Sequence, residues 1–246
     1  MVIAGLAGTA LVAACGLSAY FLVTDEQQGR HARTAEPMPS VLPRDISSRA
    51  VDPEPLTAKE VFPSSEIVID DNEPPYRVLR TQEHKDCGKA VAGEIATLLA
   101  KLGCTQVVRG TLRAPNSAYL VTAGVFNLED ITAAETAHEK IKPIVTNNKG
   151  RFYGMVAGEG TDAIALSSAQ VGWHIRGHFL VYCVIARVDG KPVTDVDPYA
   201  RQILYDMIEL HLRGDVLEKR ATVLVGEASP SPGGATASPT GTTTPS

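Results

Sequence analysis

Val2 to Val23 is a run of 22 residues without a single Asp, Glu, Lys or Arg, and nothing else in the chain limits its architecture so sharply. As a helix rising ~1.5 Å per residue it reaches ~33 Å, enough to cross a hydrocarbon core of ~30 Å. Two other fates share this kind of sequence. Val12-Ala13-Ala14-Cys15 has the form of a lipobox, and a cleaved signal peptide also carries an apolar core before a small-residue site. A cleaved leader needs a basic amino-terminal region, and only Met1 precedes the run. A lipidated cysteine is followed by a polar tether, whereas Cys15 is followed by Gly-Leu-Ser-Ala-Tyr-Phe-Leu-Val. The reading is therefore a transmembrane helix over 2–23, with Tyr20 and Phe21 as interfacial anchors.

A membrane anchor leaves the remaining residues to form one soluble domain with appendages. Arg30 and Arg33 just beyond the anchor weigh toward a cytoplasmic domain. The Ser, Pro, Thr and Gly of the carboxy-terminal tail weigh the other way, and an extracytoplasmic domain at the cell membrane is expected. A net charge of −5 argues against nucleic acid as a partner, since that needs a basic face. The abundance of Ala, Gly, Val and Pro, with few Phe and one Trp, resembles the composition of high-GC actinobacterial envelope proteins.

Residues 24–75 hold the run DEQQGRHAR and then Pro37, Pro39, Pro43, Pro53 and Pro55, a composition expected of a flexible linker, within which Leu56 to Phe62 reads as a short amphipathic piece able to dock on the domain and Ile67 to Ile69 as an edge strand or extended arm. Regular patterning begins at Tyr76, giving an α+β domain over 76–222 and a disordered tail over 223–246. Strands are predicted at Tyr76–Thr81, Gln106–Arg113, Ala118–Phe126 and Arg151–Ala157, and across Val171–Val188, where Gly177 offers a bend. Helices are predicted from Asp86 to about Leu102, from Asp130 with an early end at Pro143, and from Asp197 to Gly214. The resulting β-α-β-β-α-β order predicts an antiparallel sheet with helices on one face, a ferredoxin-like core with an added strand and a carboxy-terminal helix.

The chemistry-bearing residues are few. A single helix from Cys87 to Cys104 would hold their Cα atoms ~24 Å apart, too far for a bridge. The expected disulfide is therefore Cys104–Cys183 or Cys87–Cys183, against three unbridged thiols. In a strand, His174, Arg176 and His178 project from one face opposite the apolar stripe, a pattern that could bind an anion. It lacks the third ligand of a metal site, and neither a cofactor motif nor a catalytic set is present. His138 and His211 fall on the buried stripes of helices and read as core histidines.

Tyr119-Leu-Val-Thr-Ala-Gly-Val-Phe-Asn, followed by a helix with Ala133, Ala134 and Ala137, resembles the strand-Gly-x-Phe-helix segment of SPOR-type peptidoglycan-binding domains, over residues 119–145. Those are small ferredoxin-like modules, often on single-pass membrane proteins. The resemblance implies a ferredoxin-like fold and an envelope location and assigns no ligand. A cell-wall polymer or another envelope protein is the expected partner, with a hydrolase working from the His174/His178 face, or a structural partner of another membrane protein, as the alternatives. The sum is a membrane-held, non-enzymatic binding or interaction domain in the cell envelope.

Overall fold

A six-stranded antiparallel sheet forms the centre of the domain, and both of its faces are covered. The computed structural model describes residues 41–166 and 169–224. Residues 42–223 make one compact unit. The 2–23 segment read as an anchor lies outside the described residues, as does most of the tail. Among the described residues no helix is long and apolar enough to cross a membrane.

The sheet strands are β1 (Glu66–Ile67), β2 (Tyr76–His84), β4 (Gln106–Arg113), β5 (Tyr119–Asn127), β7 (Gln170–Arg176) and β8 (Phe179–Arg187). They run in the order β1-β2-β4-β5-β8-β7, with every neighbouring pair antiparallel. Short strands β3 (Val91–Gly93) and β6 (Gly150–Phe152) pair separately. The helices are α1 (Ala58–Val61), α2 (Glu94–Lys101), α3 (Ile131–Thr146) and α4, which begins at Pro198–Tyr205 and continues with wider π turns over Asp206–Leu217 and a last turn at Glu218–Arg220.

The α+β class and the antiparallel sheet agree with the sequence reading. The ferredoxin-like order does not. That order places the first strand between the third and the fourth, each helix crossing over a strand, whereas here β2, β4 and β5 lie side by side in the order in which they occur in the chain. The helices also lie on both faces rather than one. One face carries Val108, Leu112, Val121, Val181, Cys183 and Ile185 against α4. The opposite face carries Val107, Leu120, Phe126, Leu180, Tyr182 and Val184 against α2 and α3. Burial on both sides explains why β5 is buried along its whole length and reads as a continuous run rather than as alternation.

The 44–75 stretch is no linker. Ile46, Leu56, Val61, Phe62 and Ile67 lie in the core on the α4 face, each at most 7% exposed. A capping box, Thr57 with Glu60, starts α1. Asp52 is fully buried and accepts from Arg220 Nε (2.7 Å) and Nη2 (3.0 Å), while Arg220 Nη1 reaches Glu60 Oε1 (2.7 Å). The prolines and charges that mark this stretch as loop-forming are compatible with a fixed strap that turns Ile46, Leu56, Val61, Phe62 and Ile67 and the Asp52–Arg220 ion pair inward and leaves Val51 and Val68 exposed.

Other boundaries moved for local reasons. Val171–Val188 is a hairpin, because Gly177 adopts φ +56 and its Cα lies where a Cβ would sit 2.2 Å from the Ile46 carbonyl oxygen. Pro143 lies inside α3 rather than ending it; the lost N–H bond falls on the exposed side, where Glu139 and Pro143 both face solvent. Gly214 does not stop α4 either, since Val216, Leu217 and Arg220 prolong its buried side past the glycine. Asp130 and Asp197 cap α3 and α4 as expected, accepting from Ala133 N and from Tyr199 N and Ala200 N.

Candidate functional site

The disulfide joins Cys87 to Cys104, with Cα atoms 6.3 Å apart. This corrects both expected pairings and the argument that excluded this one. The chain from Asp86 is not one helix. Cys87–Lys89 is a 3-10 turn, Val91–Gly93 is extended, and only Glu94–Lys101 is helical. The eight-residue helix spans ~12 Å, and the segment from Cys87 to Gly93 runs back along it, so the two cysteines meet at the helix's carboxy-terminal end. Gly93, at φ +64, makes the reversal between them. Cys183 is free, fully buried and faces α4; burial pushes its thiol well above the ordinary range, which removes its nucleophilicity.

The predicted His174, Arg176 and His178 face is dispersed by the hairpin. His174 is half-buried; its Nδ1 accepts from Ile175 N at 2.8 Å, and its ring lies 5.1 Å from that of His138 on α3. Arg176 forms a half-exposed ion pair with Glu218. His178 sits in the turn after β7 and is fully buried, with Nδ1 donating to the Ile46 carbonyl at 2.9 Å. Burial chiefly lowers its pKa, so the ring is neutral and serves to fasten the 44–62 strap. His211 does the same at the other end of the strap: it is buried, its pKa is lowered by burial, and Nε2 meets the Val61 carbonyl at 2.9 Å. The two histidines of the proposed hydrolase face therefore do not share a surface. Among the described residues no group of three or more His, Cys, Asp or Glu is placed to hold a metal ion.

Two concave sites take their place. The larger is a cleft of about 480 Å³ between β6 and the 162–166 turn, floored by Phe152, Ile164, Val171 and Val184. Lys149 and Arg151 stand among its lining residues, with the Arg151 guanidinium 5.0 Å from the centre of the Tyr153 ring. The smaller, of about 280 Å³, lies where α4 crosses the ends of β2 and β4. Tyr76, Tyr199, Asn116 and Asp206 line it. Asp206, only 5% exposed, accepts from the Tyr76 hydroxyl at 2.5 Å and from Gln202 Nε2 at 2.7 Å. Burial and that carboxylate raise the Tyr76 phenol far above its ordinary pKa, so it stays protonated and donates. The sequence reading missed this pocket. Its one signal was an acid lying between Ile203 and Met207 on the buried stripe of α4.

No family model matches the chain, and comparisons with curated proteins and with solved structures return no match.

Proposed function

We propose that this protein presents a binding domain outside the cytoplasm, held at the membrane by residues 2–23, and that it engages a polymer or another protein of the cell envelope. The observation that carries the reading is the Cys87–Cys104 disulfide. Disulfides persist in oxidising compartments and are rare in the cytosol. This one is structural in placement: it fastens the end of α2 to the turn that follows β2, and Cys87 is buried. The two clefts give such a domain places to hold a ligand, while of the two histidines that an enzyme reading relied on, His178 secures the strap and His174 packs against His138. This combination supports recognition rather than turnover.

The test is thiol mapping on intact cells with a membrane-impermeant maleimide, with and without reductant. Labelling of Cys87 and Cys104 only after reduction is expected, with Cys183 protected until the protein is denatured. If intact cells give no label in either condition, and denaturing lysis without reductant labels all three, the domain is cytosolic and reduced and the proposal fails.

A further inference from the structure

We infer that the pocket between α4 and the ends of β2 and β4 binds a primary ammonium group carried on an alkyl chain. The argument starts from charge. Asp206 is a buried carboxylate, and both of its hydrogen-bond partners, a phenol and an amide, are neutral. The other charged residue lining the pocket is Glu73, and no lining residue is basic. Elsewhere in this protein the buried carboxylate Asp52 is matched by two arginines. A buried charge without a counter-ion is costly, and a ligand that supplies one recovers that cost.

The shape of the site says which cation fits. Each Asp206 oxygen accepts one bond from the protein and keeps a lone pair, so the carboxylate can accept N–H donors from a ligand. That favours a primary ammonium over a quaternary one, which has no N–H to give. The walls are Tyr76 and Tyr199 with Pro74, Ala114 and Ile203. Ring faces attract a cation, and the aliphatic surface accommodates the alkyl chain behind it. Tyr199 is 62% exposed, so a large aromatic side chain stands at the mouth with nothing of its own to cover. The helix changes from α to π turns at Asp206, a local widening of the kind that recurs at functional sites. A guanidinium would serve the charge equally well, but its planar fork needs two open acceptor directions in one plane, and Tyr76 and Gln202 already occupy one direction on each oxygen. The inference is independent of the compartment in which the domain resides.

Isothermal titration of the full-length protein tests it with four probes: Nα-acetyl-lysine amide, its Nε-trimethyl form, uncharged Nα-acetyl-norleucine amide, and the free diamine cadaverine. The expected result is saturable one-to-one binding of the lysine amide, with the norleucine and trimethyl compounds weaker by at least roughly tenfold. Cadaverine binding as well as the lysine amide identifies a free amine as sufficient; weaker binding identifies a peptide-borne amine. Asp206→Asn should lose roughly tenfold or more in affinity, and Tyr199→Ala several-fold. Because Tyr199 is exposed, the second variant folds whether or not the first does. The inference is overturned if no primary amine saturates the protein at millimolar concentration, if norleucine amide binds as well as lysine amide, or if Tyr199→Ala binds as the unaltered protein does.

Discussion

Removing the Asp52 carboxylate is the sharpest way to ask whether the 44–62 strap belongs to the folded domain. Asp52 is fully buried, and it accepts from Arg220 twice and from Arg44 Nη2 at 2.5 Å. Arg220 has a side chain only 4% exposed, whereas that of Arg44 is 33% exposed. In Asp52→Ala, Arg44 can turn to water, but Arg220 cannot. Breaking a buried pair by removing one partner costs about 3–5 kcal/mol, because the other charge is left uncompensated. Arg220 keeps Glu60 at 2.7 Å and the Glu54 carbonyl, so the lower end applies, about 3 kcal/mol. With a urea slope of about 2 kcal/mol/M, the unfolding midpoint should fall by roughly 1.5 M. The single tryptophan, Trp173, is half-buried on β7 and reports the transition by fluorescence. The neighbouring Val51→Ala is the control: Val51 is 51% exposed and its loss should cost no more than about 0.5 kcal/mol. If Asp52→Ala also falls within about 1 kcal/mol of the unaltered protein, the strap contributes nothing to the cooperative unit, and the reasoning from buried charge is refuted.

Two further outcomes are expected. Replacing Cys87 and Cys104 by Ala releases a loop closed over a sequence separation of 17 and should cost about 3 kcal/mol; dithiothreitol should bring the unaltered protein to the same urea midpoint and leave the double variant unchanged. Stability should also fall with acid. His178 and His211 both have pKa values lowered by burial, so below the ordinary histidine pKa the unfolded chain takes up protons that the folded protein refuses. The contribution is present above about pH 6.5 and is lost as pH falls through that value toward the lowered native pKa, at up to about 1.4 kcal/mol per pH unit for each histidine. Urea midpoints from neutral pH to about pH 5 should drop accordingly, and His178→Gln should shallow the slope. An equal slope in that variant would show that His178 is not held neutral.

What the sequence determined was local. Asp130, Asp197 with Pro198, and the period of apolar residues on α3 and α4 placed the starts and buried faces of those helices, though not their ends, where the structure has them, because caps and helical stripes are set by residues within a turn or two of each other. The hairpin at 106–127 followed from its turn in the same way. Tertiary structure decided the rest. Leu56 to Phe62 is legible as an amphipathic piece, but its proline-rich surroundings do not say that it, or Ile46, has a fixed place in a core; that depends on the face which β4, β5 and β8 assemble with α4. Cys87 reaches Cys104 only because Gly93 reverses the chain and β3 (Val91–Gly93) finds β6 (Gly150–Phe152), far later in the sequence. His174 and His178 share a strand face on paper, but a glycine turn forced by the close approach of Ile46 puts one against α3 and the other in the interior. In each case the deciding partner is distant in the chain, and burial against it outweighs the modest local preferences that a sequence displays.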